Sequence, residues 1–184
     1  MSDHSVSVVR LDRLTPSQAQ SLAEAVRDWL LAREVIAVND ERDELWAPSE
    51  WKPGPGARDV VGTEWFESLI DDEGNGVDIN PDWGEYNPME NFSPPDCPSC
   101  SAPGPEDYTN AEWLERWVDE GDEPEFTCAV CGRTALAGDW VGEFSLVVGA
   151  PGVTFNNWPE LSEEFMKELK LRLGGRIAVV REHI

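Results

Sequence analysis

The sequence predicts an α+β fold on three observations. Each end of the chain reads strand, helix, strand; both of these helices carry one apolar face; and the middle of the chain is acidic, irregular and rich in Pro and Gly. A helix that buries one face needs another layer to pack on, so the two ends together predict one sheet with helices on one face. We expect residues 1–40 and 141–184 to form this α+β sandwich and residues 41–140 to be an insert.

The N-terminal unit begins with a strand over residues 5–11, S-V-S-V-V-R-L. Thr15 is expected to cap the following helix, with Pro16 at its first position and Gln18 completing a capping box. Apolar residues recur at spacings of three and four over residues 16–33, which predicts the helix itself. The apolar run V-I-A-V at 35–38 then predicts the second strand.

The C-terminal unit repeats this order. A strand is expected over residues 143–148, a helix from Pro159 to the residue before Gly174, and a final strand over 176–181. The segment 152–159 is expected to link the first of these strands to the helix, with Asn156 or Asn157 as the cap.

Two β-α-β units in one sheet, with their helices on one face, would be of ferredoxin-like type. The two ends share no internal sequence repeat, so this assignment depends on the order of elements alone.

The insert carries fewer signals of regular structure. A short helix is expected over 64–70 and irregular chain over 71–95. A second helix is expected over 111–119, with Asn110 as its cap and one apolar face made of Trp113, Leu114 and Trp117.

Charge is concentrated in the middle of the chain. The net charge is −23, and residues 34–127 hold 26 acidic and four basic residues, a net charge of −22. Such a block repels phosphate backbones and anionic membranes, so nucleic acid and membrane surfaces are not expected partners. A basic protein would be attracted, although the charge could equally serve solubility alone.

The compartment is inferred from what the sequence lacks. No apolar run approaches the roughly 20 residues that cross a bilayer, and no signal peptide is recognisable. We therefore expect a cytoplasmic protein with reduced thiols. The excess of arginine over lysine, together with many Ala, Gly and Trp, is typical of a GC-rich bacterial genome.

The four cysteines form two C-x-x-C pairs. Cys97 and Cys100 enclose Pro98-Ser99, and Cys128 and Cys131 follow after 27 residues, with Gly132 directly behind them. Four thiolates in a tetrahedron suit Zn²⁺, and a site closed by four protein ligands is structural because no position is open to a substrate. We expect one structural zinc ion per chain. Disulfide bonds and a redox-active C-x-x-C motif are the alternatives.

With these two pairs and Gly132, residues 94–140 resemble the zinc-ribbon class. The resemblance implies a structural zinc site with the four cysteines as ligands. The spacer between the pairs is longer than in most such modules, so the helix over 111–119 would be an insertion in it. Because Arg116 and Arg133 are the only basic residues between 59 and 140, we do not expect this module to bind nucleic acid.

Aromatic residues accompany the carboxylates of the insert. Most are expected to form a small core around the cysteine pairs, and the rest to serve as anchors for an arginine-rich partner. The residues expected at such a partner surface are Trp46, Trp51, Asp71, Asp72, Trp83 and Tyr86. The sequence D-I-N-P-D at 78–82 resembles the start of a calcium loop, but Trp83 and Met89 replace the required Gly and Glu, which favours an acidic turn.

The leading functional hypothesis is a non-enzymatic, zinc-stabilised acidic module that binds a basic protein. In size and charge the chain resembles small partner-neutralising proteins, such as immunity proteins for nuclease toxins or mimics of DNA charge. The alternatives are a metal-dependent enzyme that uses carboxylates and a structural subunit of a larger assembly. The sequence contains no recognisable catalytic motif, and its oligomeric state is left open.

Overall fold

A six-stranded antiparallel sheet lies at the centre of the computed structural model, which describes residues 4–40, 49–72, 74–105, 108 and 111–183. In spatial order its strands are β10 (Ile177–His183), β1 (His4–Arg10), β9 (Gly152–Asn156), β4 (Gly76–Asn80), β3 (Trp51–Pro53) and β2 (Ile36–Val38). Two smaller sheets pair β5 (Gly84–Tyr86) with β8 (Val147–Gly149) and β6 (Glu125–Thr127) with β7 (Thr134–Leu136). The α-helices of the described residues are α1 (Pro16–Ala32), α2 (Arg58–Val61), α3 (Thr63–Asp71), α4 (Ala111–Glu120) and α5 (Glu163–Leu173).

The predicted N-terminal unit is present as β1, α1 and β2, but in the C-terminal unit the strand before α5 is β9 rather than the one expected over 143–148. In neither unit are the two strands neighbours. β1 pairs antiparallel with both β9 and β10, so α5 joins two strands that lie on either side of β1. Between β9 and β2 lie β4 and β3, so α1 joins strands that are still farther apart. The α+β class is confirmed, while the ferredoxin-like type stays a prediction.

The prediction of irregular chain over residues 71–95 is wrong, because this segment contains β4 and β5. β4 pairs with β9 over five residues. Its sequence alternates: Val77 and Ile79 pack into the core under the helices, whereas Asp78 lies on the other face. Two strands of the segment 41–140 therefore belong to the same sheet as the strands of the chain ends.

The prediction that residues 152–159 form a link is also wrong, because most of this segment is β9. Val153 and Phe155 are fully buried, and the intervening Thr154 faces the opposite side of the sheet. Helix α5 begins at Glu163 rather than Pro159, and Ser162 caps it by accepting the Phe165 N–H at 3.3 Å. A serine directly before two glutamates is a stronger start signal than an asparagine six residues upstream.

The other predicted elements are close to their observed positions. Helix α1 has the capping box, since Thr15 Oγ1 accepts the Gln18 N–H and Gln18 Oε1 accepts the Thr15 N–H. Helices α3 and α4 confirm those expected over 64–70 and 111–119. The strand expected over 143–148 is shorter and shifted to Val147–Gly149. Asn110, the expected cap of α4, lies outside the described residues.

The two faces of the sheet bury different cores. The first core lies under α1, α2, α3 and α5, and its side chains include Val8, Leu30, Leu69, Phe155 and Leu169. The second core lies on the opposite face, where α4 and the hairpin of β6 and β7 pack. Adjacent residues of β1 divide between them, because Val8 belongs to the first core and Val9 to the second.

Candidate metal centre

The four cysteines converge at the edge of the second core. Their Sγ atoms all lie within 4.8 Å of one another, with 3.7 Å between Cys97 and Cys131 and 3.6 Å between Cys100 and Cys128. Four sulfurs placed tetrahedrally at about 2.3 Å from one ion would be about 3.8 Å apart. The observed separations match that tetrahedron and exceed the roughly 2.05 Å of a disulfide, so the cluster could hold a metal ion.

The two C-x-x-C turns have the same backbone design. Ser101 N–H donates to Cys97 O, and Gly132 N–H donates to Cys128 O, both at 2.9 Å. The cysteine that opens each turn donates its own N–H farther on, Cys97 to Ala102 O at 2.8 Å and Cys128 to Arg133 O at 2.9 Å. Equivalent turns aim both thiols of each pair to the same side.

The residue after each pair adopts a left-handed conformation. Gly132 has φ = 70°, which its lack of a Cβ makes favourable, and Ser101 has φ = 57° at the equivalent place. The sequence indicated this conformation at Gly132 but gave no sign of it at Ser101, because serine rarely adopts it.

The thiols influence one another electrostatically. Backbone N–H groups of Cys131 and Val130 lower the pKa of Cys128 to about 6. At Cys100 the Ala102 N–H lowers the pKa, but desolvation and the neighbouring sulfurs outweigh it and raise the pKa to about 12. One thiolate therefore makes the next harder to form, and a divalent cation bound by all four sulfurs would reduce that penalty by offsetting part of their negative charge.

Burial divides each pair in the same way. Cys97 and Cys128 are 2% exposed and belong to the second core, while Cys100 and Cys131 lie at the surface. The first turn is also held from the other side, since Asp96 and Val141 exchange backbone hydrogen bonds of 2.8 and 2.9 Å.

A cluster of aromatic rings connects the cysteines to α4. Phe126, on β6, lies two residues before Cys128 and packs edge-on against Trp113 at 5.4 Å between ring centroids. Tyr108 contacts Phe126 and Trp113 at 5.2 and 5.4 Å. Trp117 is fully buried on the same face of α4. The predicted apolar face of α4 is thus confirmed, and the position of this helix depends on the hairpin that carries the second cysteine pair.

Arg176 ties this region to the central sheet. Its guanidinium forms two hydrogen bonds with the Glu123 carboxylate, at 2.7 and 2.9 Å, and one with Asp139 at 2.8 Å. These acceptors raise the pKa of Arg176, and the Glu123 side chain is only 12% exposed. Sequence reasoning placed Arg176 at the start of a strand and missed this role, because its partners are distant in the chain.

The described residues among those expected at a partner surface are divided between the two sides of the sheet. Trp51 packs against the first core, whereas Trp83 and Tyr86 pack against the second. Asp71 is exposed at the end of α3, and Asp72 accepts the Gly74 N–H at 2.9 Å. Trp46 lies outside the described residues.

An exposed tryptophan occurs elsewhere. Trp65, on α3, is 55% exposed, in contrast to the half-buried rings of Trp51 and Trp83. The spacing of apolar residues did not indicate that Trp65 would be exposed, because this residue lies on the flank of an amphipathic helix.

The sequence that resembles a calcium loop folds differently. Asp78 lies in β4 and accepts hydrogen bonds from Asn156 Nδ2, Ser49 Oγ and the Glu50 N–H. Asn80 Oδ1 accepts the Asp82 N–H at 2.9 Å in a tight turn. Within the described residues, the cysteine cluster is the one group of His, Cys, Asp or Glu side chains arranged to hold a metal ion.

Comparison with protein-family models, with curated proteins and with solved structures finds no match to this chain. None of the described helices is both long enough and apolar enough to cross a bilayer.

Proposed function

We propose that the chain holds one structural Zn²⁺ ion through Cys97, Cys100, Cys128 and Cys131. Four thiolates at tetrahedral separations suit Zn²⁺, which has no geometric preference of its own from d-electrons and is commonly bound this way. Four protein ligands would leave no position for a substrate, so the ion would support the fold rather than a reaction. The support for this assignment is the pair of sulfur separations of 3.6 and 3.7 Å.

We further propose that this zinc-supported region binds a basic protein through the outer face of α4. The inner face of α4 packs on the aromatic cluster, and the carboxylates of Glu112, Glu115, Asp119 and Glu120 are exposed on the outer face. Nearby, the exposed Arg116 is paired within the same region, with Asp122 and Glu120. The single observation that carries the proposal is the exposed acidic face of α4, a helix that packs on the region containing the four clustered cysteines.

Electrostatic attraction would mainly accelerate association and would weaken as salt rises. A surface that serves only solubility would behave differently, because every carboxylate of the chain would then count equally. The two cases can be distinguished by reversing the same number of side-chain charges at two different places on the protein.

The test compares two matched double variants in binding to an immobilised arginine-rich peptide. Glu115→Lys with Asp119→Lys changes the outer face of α4, and Glu24→Lys with Asp28→Lys makes the same change at the same spacing on α1. We expect about a tenfold loss of affinity at low salt for the α4 variant and less than about twofold for the α1 variant. Equal losses, or binding by the wild type that does not respond to salt, would contradict the proposal.

The alternative of a carboxylate enzyme has less support. It would need carboxylates that converge on one point, and among the described residues no such group reaches metal-binding distances. Asp71 and Asp72 are adjacent in sequence, but Asp72 is used in a turn at the end of α3. Titration with Mg²⁺ or Ca²⁺ after zinc loading tests this alternative, which requires a second bound ion.

A further inference from the structure

Within the described ranges of the chain, one edge of the central sheet is left open. β10 is an outer strand and pairs with β1 alone. Leu11 N–H donates to Arg176 O, so the even-numbered residues of this strand direct their backbone groups toward β1. Arg181 N–H points the other way and donates to Glu143 O. The backbone N–H and C=O groups of Ile177 and Val179 therefore point outward, where no backbone hydrogen bond from the described part of the chain reaches them.

This edge lacks the usual protection against strand addition. Natural edge strands are commonly short, charged or interrupted by proline. Residues 177–180 read I-A-V-V, whereas the strand at the other edge of the sheet, β2, has only three residues. Among the residues that the structure describes, those that cover β10 lie at its far end, where Glu143 accepts the Arg181 N–H and Asn91 donates to His183 O. The open part thus offers a backbone template of about four residues.

A groove runs beside this open edge. Its volume is about 650 Å³, and it lies between β10 and the flank of α5 that faces away from α1. Met166, Leu171 and Ile177 give it an apolar lining, and Leu171 is 72% exposed. A helix beside an open strand edge is the arrangement in which a peptide adds one strand and places alternate side chains in the groove.

The charge of the groove is opposite to that of the chain. The protein has three lysines in a chain of net charge −23, and two of them, Lys167 and Lys170, line this groove. Both lie on α5 above the open edge and are exposed. Glu163, at the other end of the helix, is the groove's one acidic residue.

We propose that the groove between α5 and β10 binds an extended acidic segment of a partner protein. The segment would pair with Ile177 and Val179 as a seventh strand, place apolar side chains on Met166 and Leu171, and bring carboxylates to Lys167 and Lys170. A second copy of this chain fits less well, because pairing through β10 would bring together two molecules of charge −23 and oppose their lysine pairs. The site lies on the helix side of the sheet, away from α4, so it does not rest on the proposed function.

The experiment uses a labelled, acetylated peptide of eight residues, measured by fluorescence polarisation with the full chain. Alternate positions of the peptide, which share one face of the added strand, carry two valines and two glutamates, and the intervening positions carry threonine. Two control peptides accompany it: one with lysine in place of glutamate, and one with alternate backbone nitrogens methylated. We expect the acidic peptide to bind at least about tenfold more tightly than either control, because the first lacks charge complementarity and the second cannot form the strand ladder. Hydrogen exchange should show slower exchange at the Ile177 and Val179 amides when the peptide is bound.

Variants of the chain separate the charge from the backbone contribution. Lys167→Glu with Lys170→Glu should weaken binding at least about fivefold, while Lys52→Glu, at the third lysine, should change it less than about twofold. Val179→Pro removes an outward N–H that the pairing with β1 does not use, so it should keep the fold and lose at least about tenfold in affinity. The melting temperature of each variant confirms that it is folded.

Three results would overturn the proposal: no measurable binding of the acidic peptide to wild type, equal binding of the methylated peptide, or unchanged affinity in the folded lysine variant. A dimer in sedimentation whose Ile177 and Val179 amides are protected without peptide would assign the edge to a second copy instead.

Discussion

Removal of the proposed Zn²⁺ ion from the four-cysteine centre should loosen the second core and leave the first intact. Without an ion, the sulfurs no longer join the two C-x-x-C turns, so the loop between Cys100 and Cys128, which are 28 positions apart, loses the cross-link that closes it. Cross-linking a loop of this length stabilises a fold by about 3.6 kcal/mol through the entropy of the unfolded chain. For a chain of this size, that loss corresponds to a fall of about 7 to 14 °C in melting temperature.

The assay combines metal analysis with thermal unfolding. Cys97→Ser removes a buried ligand, and Ser99→Ala, an exposed residue of the same turn, is the matched control. We expect one zinc ion per wild-type and Ser99→Ala chain, and loss of bound zinc together with the stability decrease in Cys97→Ser. Chelation of wild type should reproduce that decrease, and cobalt substitution should give the visible spectrum of a tetrahedral thiolate site.

The position of the effect is as informative as its size. Hydrogen exchange should accelerate in α4 and in the hairpin of β6 and β7, which contain Trp117 and Phe126 of the second core. The strands that bury the first core should remain protected. Equal melting temperatures with and without metal, or less than one ion for every five chains, would refute the reasoning.

The remaining predictions concern stability. Arg176→Met should cost roughly 2 to 3 kcal/mol in urea unfolding, because it removes three charge-assisted hydrogen bonds and leaves the mostly buried Glu123 carboxylate unpaired; a loss below about 0.5 kcal/mol would contradict this. Burial raises the pKa of Tyr86 to about 12 and raises that of Tyr108 as well, and these are the only two tyrosines. Absorbance at alkaline pH should therefore show no ionisation near pH 10, and stability that is complete below pH 10 should fall by roughly 2 to 3 kcal/mol by pH 12 for Tyr86 alone, since only the unfolded chain ionises freely there. Gly152→Ala places a Cβ 2.0 Å from Tyr86 Oη and should cost about 2 kcal/mol, whereas Gly84→Ala meets no atom within 4 Å and should cost less than about 0.5 kcal/mol.

Local signals in the sequence were sufficient to predict a structural feature wherever one short segment determines that feature. Thr15 and Gln18 specify the start of α1 through hydrogen bonds that span three residues. The spacing of Trp113 and Trp117 specifies the buried face of α4 in the same way. The C-x-x-C pairs specify the candidate metal centre, because each pair forms one tight turn and only the joining of two turns had to be inferred.

The signals for β4 and β9 were present but were outweighed by composition. Val77 and Ile79, and likewise Val153 and Phe155, alternate with polar residues as a strand does. Both strands are bordered by Gly, Pro, Asn and Asp, which are typical of turns. Each strand becomes stable by pairing with the other over five residues, and that pairing joins positions more than 70 residues apart.

The sequence by itself determined the α+β class, the ends of α1, the four clustered cysteines and the acidity of the middle of the chain. These depend on interactions within a few residues or on composition alone. Only the tertiary structure decided the order of the strands, the pairing of Arg176 with Glu123 and Asp139, and the open edge of β10 beside Lys167 and Lys170. These depend on which distant segments meet, and hydrophobic burial, which drives that meeting, is not directional and leaves little trace in the local order of residues.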